Sequence, residues 1–105
     1  MATVKSFEDL DVWKRARGLS LNIYSATLSE SFSKDYSLRN QINGASGSIM
    51  DNIAEGFERG GRKEFIQFLS YAKGSSGEVK SQLYRALDRA HIFLKRNRKA
   101  FKTKF

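Results

Sequence analysis

Residues 52–65 read NIAEGFERGGRKEF and place glycines beside cations, a combination that can bind phosphate. Glycine allows the backbone to approach a ligand closely, and arginine and lysine bind phosphate oxygens through their side chains. The stretch could therefore recognise phosphate through backbone amides or through the side chains of Arg59, Arg62 and Lys63. We call these three residues the corner cluster.

The glycine spacing of this stretch matches that of a nucleotide-binding P-loop, but the other parts of that motif are missing. A P-loop needs lysine directly after its second glycine, then serine or threonine, and a strand before the loop. Here Arg62 and Lys63 follow Gly61, and the preceding apolar pattern is helical. The sequence therefore predicts a turn between two helices, in which Gly60 or Gly61 ends the first helix. Asn52 and Glu55 are expected to make buried polar contacts, Glu55 with an arginine.

Two further groups of cations are candidates for binding phosphate. The N-terminal cluster comprises Lys14, Arg15 and Arg17, and the tail cluster comprises Lys95, Arg96, Arg98 and Lys99. The formal net charge is +8, and six of the nineteen lysines and arginines follow His91 with no acid among them. Such an excess attracts polyanions such as RNA, DNA or acidic membrane surfaces. A solvated charged surface without a ligand remains the alternative, and for the tail a disordered terminus.

Catalytic chemistry finds little support in the residue types. His91 is the single histidine and cysteine is absent, which excludes a histidine pair or a thiolate site for a metal ion. A Ser–His–Asp set is formally available, but no serine lies in a nucleophile-elbow motif. The sequence therefore predicts no enzyme, no cofactor and no metal site. His91 is expected to be an exposed or half-buried residue of a helix.

The elements that position these residues are predicted to be helices. A first apolar stripe, from Val12 to Ala26, predicts a helix over about residues 7–29, with Ser6 and Asp9 at its start. A second stripe, from Leu38 to Ile53, continues through the glycines of residues 43–48. We predict one continuous helix here, whose small residues allow another helix to cross closely. A loop over residues 43–48 is the alternative.

A third stripe predicts the longest helix, from Phe65 to Leu94, and it also continues through glycines at residues 74–77. No segment alternates as a strand does. The predicted fold is therefore all-α, an antiparallel up-down helical bundle in residues 1–94, followed by a basic tail or short helix in residues 95–105. Ile66 and Phe93 lie off the main stripe and predict further packing, against another helix or another subunit.

The chain has no apolar run of the roughly 20 residues that span a membrane, and its first residues lack the pattern of a signal peptide. Together with the absence of cysteine, this favours a cytoplasmic protein without a membrane partner.

Three segments carry a resemblance to a known family: DVWKRARGLSLNIY (11–24), SLRNQINGASGSIMDNIAEGF (37–57) and EFIQFLSYAKGSSGEVKSQLYRAL (64–87). In this order and spacing they resemble the four-helix-bundle family of 23S rRNA-intervening-sequence proteins, which includes the accessory variability determinant proteins of diversity-generating retroelements. The resemblance covers about residues 7–90. This chain departs from the family at Asn43 and Gly44, where relatives usually carry basic residues. The family's fourth helix is also longer and more amphipathic than anything that follows Leu94 here, so the chain is truncated or divergent at its end, or its basic tail replaces that helix.

The resemblance implies an up-down bundle that assembles into a ring, typically a homopentamer. It also implies a basic nucleic-acid-binding surface, no known catalytic activity, and a reverse transcriptase with its RNA as partners of the retroelement relatives. Two functions follow as hypotheses. One is a non-enzymatic bundle that binds RNA or DNA through phosphate contacts, without sequence choice. The alternative is a scaffold that docks a reverse transcriptase or another protein, with charge secondary.

Overall fold

The computed structural model describes residues 4–93, and all regular structure in this range is helical. A 3-10 turn at Phe7–Asp9 is followed by four α-helices. They are α1 (Asp11–Ala26), α2 (Glu30–Lys34), α3 (Tyr36–Glu58) and α4 (Arg62–Asp88). The central helix is α3, because it packs against both α1 and α4. Within the described range, no helix combines the length and the apolarity that membrane crossing requires. The tail cluster lies outside the described residues.

The first helix is shorter than predicted at both ends. Ser6 and Asp9 form the expected capping box, but around the 3-10 turn, where Asp9 Oδ2 accepts from the Ser6 amide at 3.3 Å. Leu10 is extended, with a ψ of 125°, so α1 begins only at Asp11. The predicted helix over residues 7–29 is therefore wrong at its start, and at its end α1 stops at Ala26.

A short helix follows α1, in the segment between the first two predicted helices. Ser29 caps α2 and accepts a hydrogen bond from the amide of Phe32 at 3.4 Å. The phenyl ring of Phe32 is fully buried and is the largest completely buried side chain of the described residues. This five-residue helix therefore carries one side chain into the core between the ends of the longer helices.

The continuous helix predicted through residues 43–48 is confirmed, but the reason proposed for its glycines is wrong. A Cβ built at Gly44 or Gly47 of α3 would meet no atom within 4 Å. The same is true of Gly74 and Gly77 in α4. These four positions therefore face open space instead of a closely crossing helix.

The close approach between α3 and α4 occurs at other small residues. A Cβ built at Gly56 would lie 2.6 Å from Cβ of Phe68, a distance that real Cβ atoms do not reach. Nearer the middle of α3, the hydroxyls of Ser48 and Ser75 lie 3.0 Å apart and form a hydrogen bond between the helices. Gly56 is thus the glycine whose missing side chain the packing requires.

The end of α4 comes earlier than the predicted stripe to Leu94. Ala90 adopts a left-handed conformation with a φ of 60°. The amides of Ala90 and His91 donate to the carbonyls of Leu87 and Ala86 at 3.0 and 2.9 Å, the pattern of a Schellman motif. Glycine usually occupies this left-handed position, and alanine tolerates it at a cost. Because Ala90 lacks the glycine signal, the sequence did not reveal this helix end.

The turn after α4 carries His91 onto the beginning of α3. His91 stacks on Phe32 with ring centroids 4.9 Å apart, and its Nε2 lies 2.9 Å from Asp35 Oδ2. Its Nδ1 lies 3.0 Å from the hydroxyl of Ser31, and Arg89 also binds Asp35 at 2.8 Å. We call Ser31, Asp35, Arg89 and His91 the Asp35 cluster. His91 therefore lies after the helix, with a side chain only 10% exposed, rather than within it.

Acid is expected to destabilise the protein through Asp35. Hydrogen bonds from His91 and then Arg89 lower the pKa of this carboxyl from 3.8 to about 2. A carboxyl whose pKa is lowered by folding stabilises the protein above its unfolded-state pKa, and this contribution is lost as the pH falls from 3.8 to about 2. Asp35→Asn removes the charge and should therefore lower the urea midpoint at pH 7 and flatten the dependence of that midpoint on pH between pH 3.8 and about 2. Asparagine still caps α3, so the loss of the cap does not contribute to this effect.

Urea unfolding of both proteins between pH 2 and pH 7, followed by circular dichroism, tests this expectation. Asp51→Asn is the matched control, since Asp51 is an exposed carboxylate of the same helix without an ion pair among the described residues. Parallel midpoint curves for Asp35→Asn and the unmodified protein below pH 4 would contradict the role assigned to Asp35.

Candidate nucleic-acid interface

The N-terminal cluster lies on the outer surface of α1. Ala16 and Ile23 are the buried residues of this helix, so Lys14, Arg15 and Arg17 project to solvent. The guanidinium of Arg17 lies over the ring of Trp13, 5.7 Å from its centroid. Within residues 4–93 none of the three cations forms an ion pair. Their charge is therefore available to an anion from outside the protein.

The corner cluster is divided by the structure. Arg59 binds Glu55 at 2.7 Å and lies over the ring of Phe68, 5.0 Å from its centroid. This arginine is therefore engaged in joining α3 to α4, which makes it a weaker phosphate ligand than the sequence suggested. The predicted pairing of Glu55 with an arginine is confirmed, but its burial is wrong, since both side chains are 53% exposed. Asn52 is half-buried and donates to the carbonyl of Ser48 in its own helix at 2.8 Å.

The two remaining cations of the corner cluster open α4. Gly60, with a φ of 80°, ends α3 in the left-handed conformation, and Gly61 then caps α4. Arg62 and Lys63 are exposed in the first turn, without an ion pair among the described residues. Cations are disfavoured at this positive end of a helix dipole by about 0.3–1 kcal/mol each. The Glu64 carboxylate folds back over Gly61 and partly offsets that charge.

A groove between α1 and α3 is lined by part of the N-terminal cluster and by one cation that the sequence analysis did not identify. The groove is open, with a volume of about 1020 Å³. Lys14 and Arg17 of α1 line it together with Arg39 of α3, and its lining contains no acidic residue. Arg15 is not part of this lining. Arg39 precedes Asn43 by four residues on one helix face. Which face of α3 meets α1 is set by packing, so the sequence carried no signal for Arg39.

Polar contacts fix the walls of this groove. The Asn43 amide nitrogen donates to the Thr27 hydroxyl at 3.2 Å and to the carbonyl of Arg39 at 3.1 Å. Thr27 is buried and donates in turn to the carbonyl of Tyr24 at 2.7 Å. Arg39 donates to the carbonyl of Ser33 at 2.9 Å. These contacts join the end of α1 to α3, so the groove has a defined shape.

The side chains that could bind a metal or perform catalysis are few in the described part of the chain. No group of three histidine, cysteine or carboxylate side chains is close enough to bind a metal ion within residues 4–93. The Asp35 cluster does align serine, histidine and carboxylate. However, Asp35 also binds Arg89 and caps α3 by accepting from the amide of Leu38, so these contacts account for its position by connecting helix ends.

Comparison with known proteins identifies the family. The family model described as 23S rRNA-intervening sequence protein matches residues 8–103, a span that includes all four helices. Searches of curated proteins and of solved structures gave no significant match. The matched span exceeds half of the chain, and it agrees with the resemblance carried by the three sequence segments. The chain therefore belongs to the family of 23S rRNA-intervening sequence proteins.

Proposed function

We propose that this protein is a non-enzymatic, oligomeric helical bundle that binds RNA or DNA through phosphate, without sequence choice. The observation that carries the proposal is that five exposed cations of the N-terminal and corner clusters form no ion pair among the described residues: Lys14, Arg15 and Arg17 on α1, and Arg62 and Lys63 on α4. Contacts between such side chains and phosphate supply affinity but read no sequence. The tail cluster would add further phosphate contacts.

An antiparallel arrangement of α3 and α4 is part of this proposal. Asp35 contacts Arg89, Ser48 contacts Ser75, and Gly56 approaches Phe68. As residue numbers rise along α3, those of the partners on α4 fall. This order supports an up-down connection through the short turn at Gly60.

The contacts of α1 support an opposite direction to α3 as well. Thr27, just after α1, bonds Asn43, and the turn Phe7–Asp9 also packs against α3. If α1 ran parallel to α3, the turn would lie roughly 28 Å from Asn43, measured along the helices towards the start of α3. Because α3 begins only about 10 Å before Asn43, the turn would then lie beyond α3 and could not pack against it. The opposite direction brings the start of α1 and the corner cluster to the same end of the bundle, where they would form one basic surface.

Assembly into a ring, with a homopentamer as the expected form, completes the proposal. Large apolar side chains that are exposed in the single chain support it: Tyr36 and Ile66. A closed ring would repeat each basic cluster by symmetry, so that weak phosphate contacts add up along one nucleic acid. A cytoplasmic location fits the absence of cysteine in the sequence.

Binding is expected to be strongly salt-dependent and to weaken when the unpaired cations are removed. The double variant Arg62→Gln/Lys63→Gln should lower affinity for duplexes of any sequence and reduce the slope of log K against log salt by about 0.9 for each lost phosphate contact. Fluorescence-polarisation titrations with single- and double-stranded RNA and DNA at several salt concentrations measure both quantities. Light scattering on the same samples reports the oligomer.

The matched control is Lys34→Gln/Lys73→Gln, which removes the same charge from exposed positions outside the three clusters; Lys34 differs from the others in pairing with Glu30 at 3.6 Å. Equal effects of the two double variants would show that net charge alone matters. Absence of binding at about 50 mM salt, or binding indifferent to salt, would refute the phosphate-based proposal. A monomer at micromolar concentration would refute the ring.

A second candidate function is a scaffold that docks a reverse transcriptase or another protein. Exposed apolar residues on α4 favour it, since Ile66 and Tyr71 present large side chains to solvent. Capture of a reverse transcriptase that survives Arg62→Gln/Lys63→Gln but is lost with Ile66→Ser would support this candidate over the phosphate-based one.

A further inference from the structure

The groove between α1 and α3 has the electrostatic character of a site for an anion. Lys14, Arg17 and Arg39 line it, and none of them is ion-paired within residues 4–93. The absence of acidic residues from the lining leaves this positive charge uncompensated. Two of the cations have defined orientations, because Arg17 lies over Trp13 and Arg39 lies over Tyr36, 5.0 Å from its centroid.

The same groove exposes an aromatic face and apolar surface, which phosphate alone does not require. Tyr24 lines the groove and is 54% exposed, and within the described residues its ring packs on no other aromatic ring or cation. Leu21 and Leu28 are exposed beside it. Lys14 and Tyr24 are ten residues apart on α1, so charge and ring are separated by about 15 Å along one helix.

We propose that this groove binds a single-stranded segment of nucleic acid, with phosphates on Lys14, Arg17 and Arg39 and an unstacked base on Tyr24. The inference rests on the proposed function and goes further by specifying the state of the strand. Bases of a duplex are stacked and paired internally, so a duplex can offer the groove only its phosphates. A single strand can also place a base on an aromatic side chain, and such stacking tolerates any sequence.

A second copy of the chain fits the groove less well than a nucleic acid does. The chain carries nineteen lysines and arginines against eleven acids, so its own surface offers little of the negative charge that the groove would attract. The occupant that combines negative charge with flat apolar rings is a single-stranded nucleic acid.

The test compares Tyr24→Ala with Tyr24→Phe, using labelled single strands and duplexes of the same sequence, in RNA and in DNA. Tyr24→Ala should weaken single-strand binding about tenfold and leave duplex binding unchanged, since the loss of one stacked base has this effect. Tyr24→Phe should stay within about twofold of the unmodified protein because it keeps the ring. Tyr71→Ala, an exposed tyrosine of α4, is the matched control.

A second variant keeps the proposal testable if Tyr24→Ala perturbs the fold. Arg39→Gln should reduce the salt slope for single strands by about 0.7, the value for one lost phosphate contact. If the variants weaken the binding of RNA and of DNA single strands equally, the site recognises the backbone and base chemistry that the two share. A stronger response in one arm would assign it to that nucleic acid.

Three results would overturn the inference. If Tyr24→Ala weakens the binding of single strands and of duplexes equally, or weakens the binding of neither, the groove does not distinguish single strands from duplexes. The phosphate-based function would then still stand. If Tyr24→Ala changes the oligomer mass in light scattering and leaves single-strand affinity intact, the groove is a contact between subunits. If the unmodified protein binds no oligonucleotide at low salt, the proposed function fails and the inference fails with it.

Discussion

Replacing Phe32 with alanine is expected to lower the free energy of unfolding by about 3–5 kcal/mol, the usual cost of removing a buried phenylalanine. The ring is completely buried although it belongs to a helix of only five residues. It packs under His91, so its loss also removes the surface on which the end of α4 rests. In a chain of 105 residues this cost would consume a large part of the total stability.

Phe93→Ala is the matched control, because the same side chain there is 79% exposed. Urea unfolding at pH 7 should show a change within about 0.5 kcal/mol for this control. If the two variants lose similar stability, Phe32 does not have the central packing role that the structure assigns to it. Loss of less than about 1 kcal/mol in Phe32→Ala would have the same meaning.

Opposite effects are expected from one substitution at two glycines of α3. Gly56→Ala should destabilise the protein by about 1–3 kcal/mol, since the new methyl group would lie 2.6 Å from Cβ of Phe68. A Cβ is fixed to the backbone, so relief requires the two helices to move apart. Gly44→Ala should stabilise the protein by about 0.5–1 kcal/mol, because the site is open and alanine favours helix.

Thermal and urea unfolding of the two variants measure this difference directly. Each substitution adds the same methyl group to the same helix, so helix propensity cancels in the comparison. Stabilisation of both variants would show that α3 and α4 are farther apart at Gly56 than the structure has them. Destabilisation of Gly44→Ala would show that the open face is covered, for instance by another subunit.

The long helices were readable from the sequence because their apolar spacing stays in phase over many turns. The stripe through Ala45 and Ile49 outweighed the glycines between and beside them, and α3 is indeed continuous. By contrast, α2 spans too few residues to show a period, so the burial of Phe32 could not be anticipated. The early end of α4 was also hidden, since Ala90 occupies a left-handed position where glycine is the recognisable signal.

The candidate site was only partly readable for a related reason. The helical period of α1 indicates the cations that project from it. The packing of the helices decides which cations of different helices line one groove. Arg39 lines the same groove as Lys14 and Arg17 only because α1 packs against α3. Arg59 is engaged by Glu55 and by the ring of Phe68. Charge counts along the chain contain neither piece of information.

One carboxylate connects two helix ends that lie far apart in the chain. Asp35 caps the first turn of α3 and binds both Arg89 and His91 beyond α4, 54 and 56 residues away. Helix termini ordinarily fray independently, each at the low end of local stability. Here, opening one terminus releases the partner of the other, so we expect the two ends to unravel together.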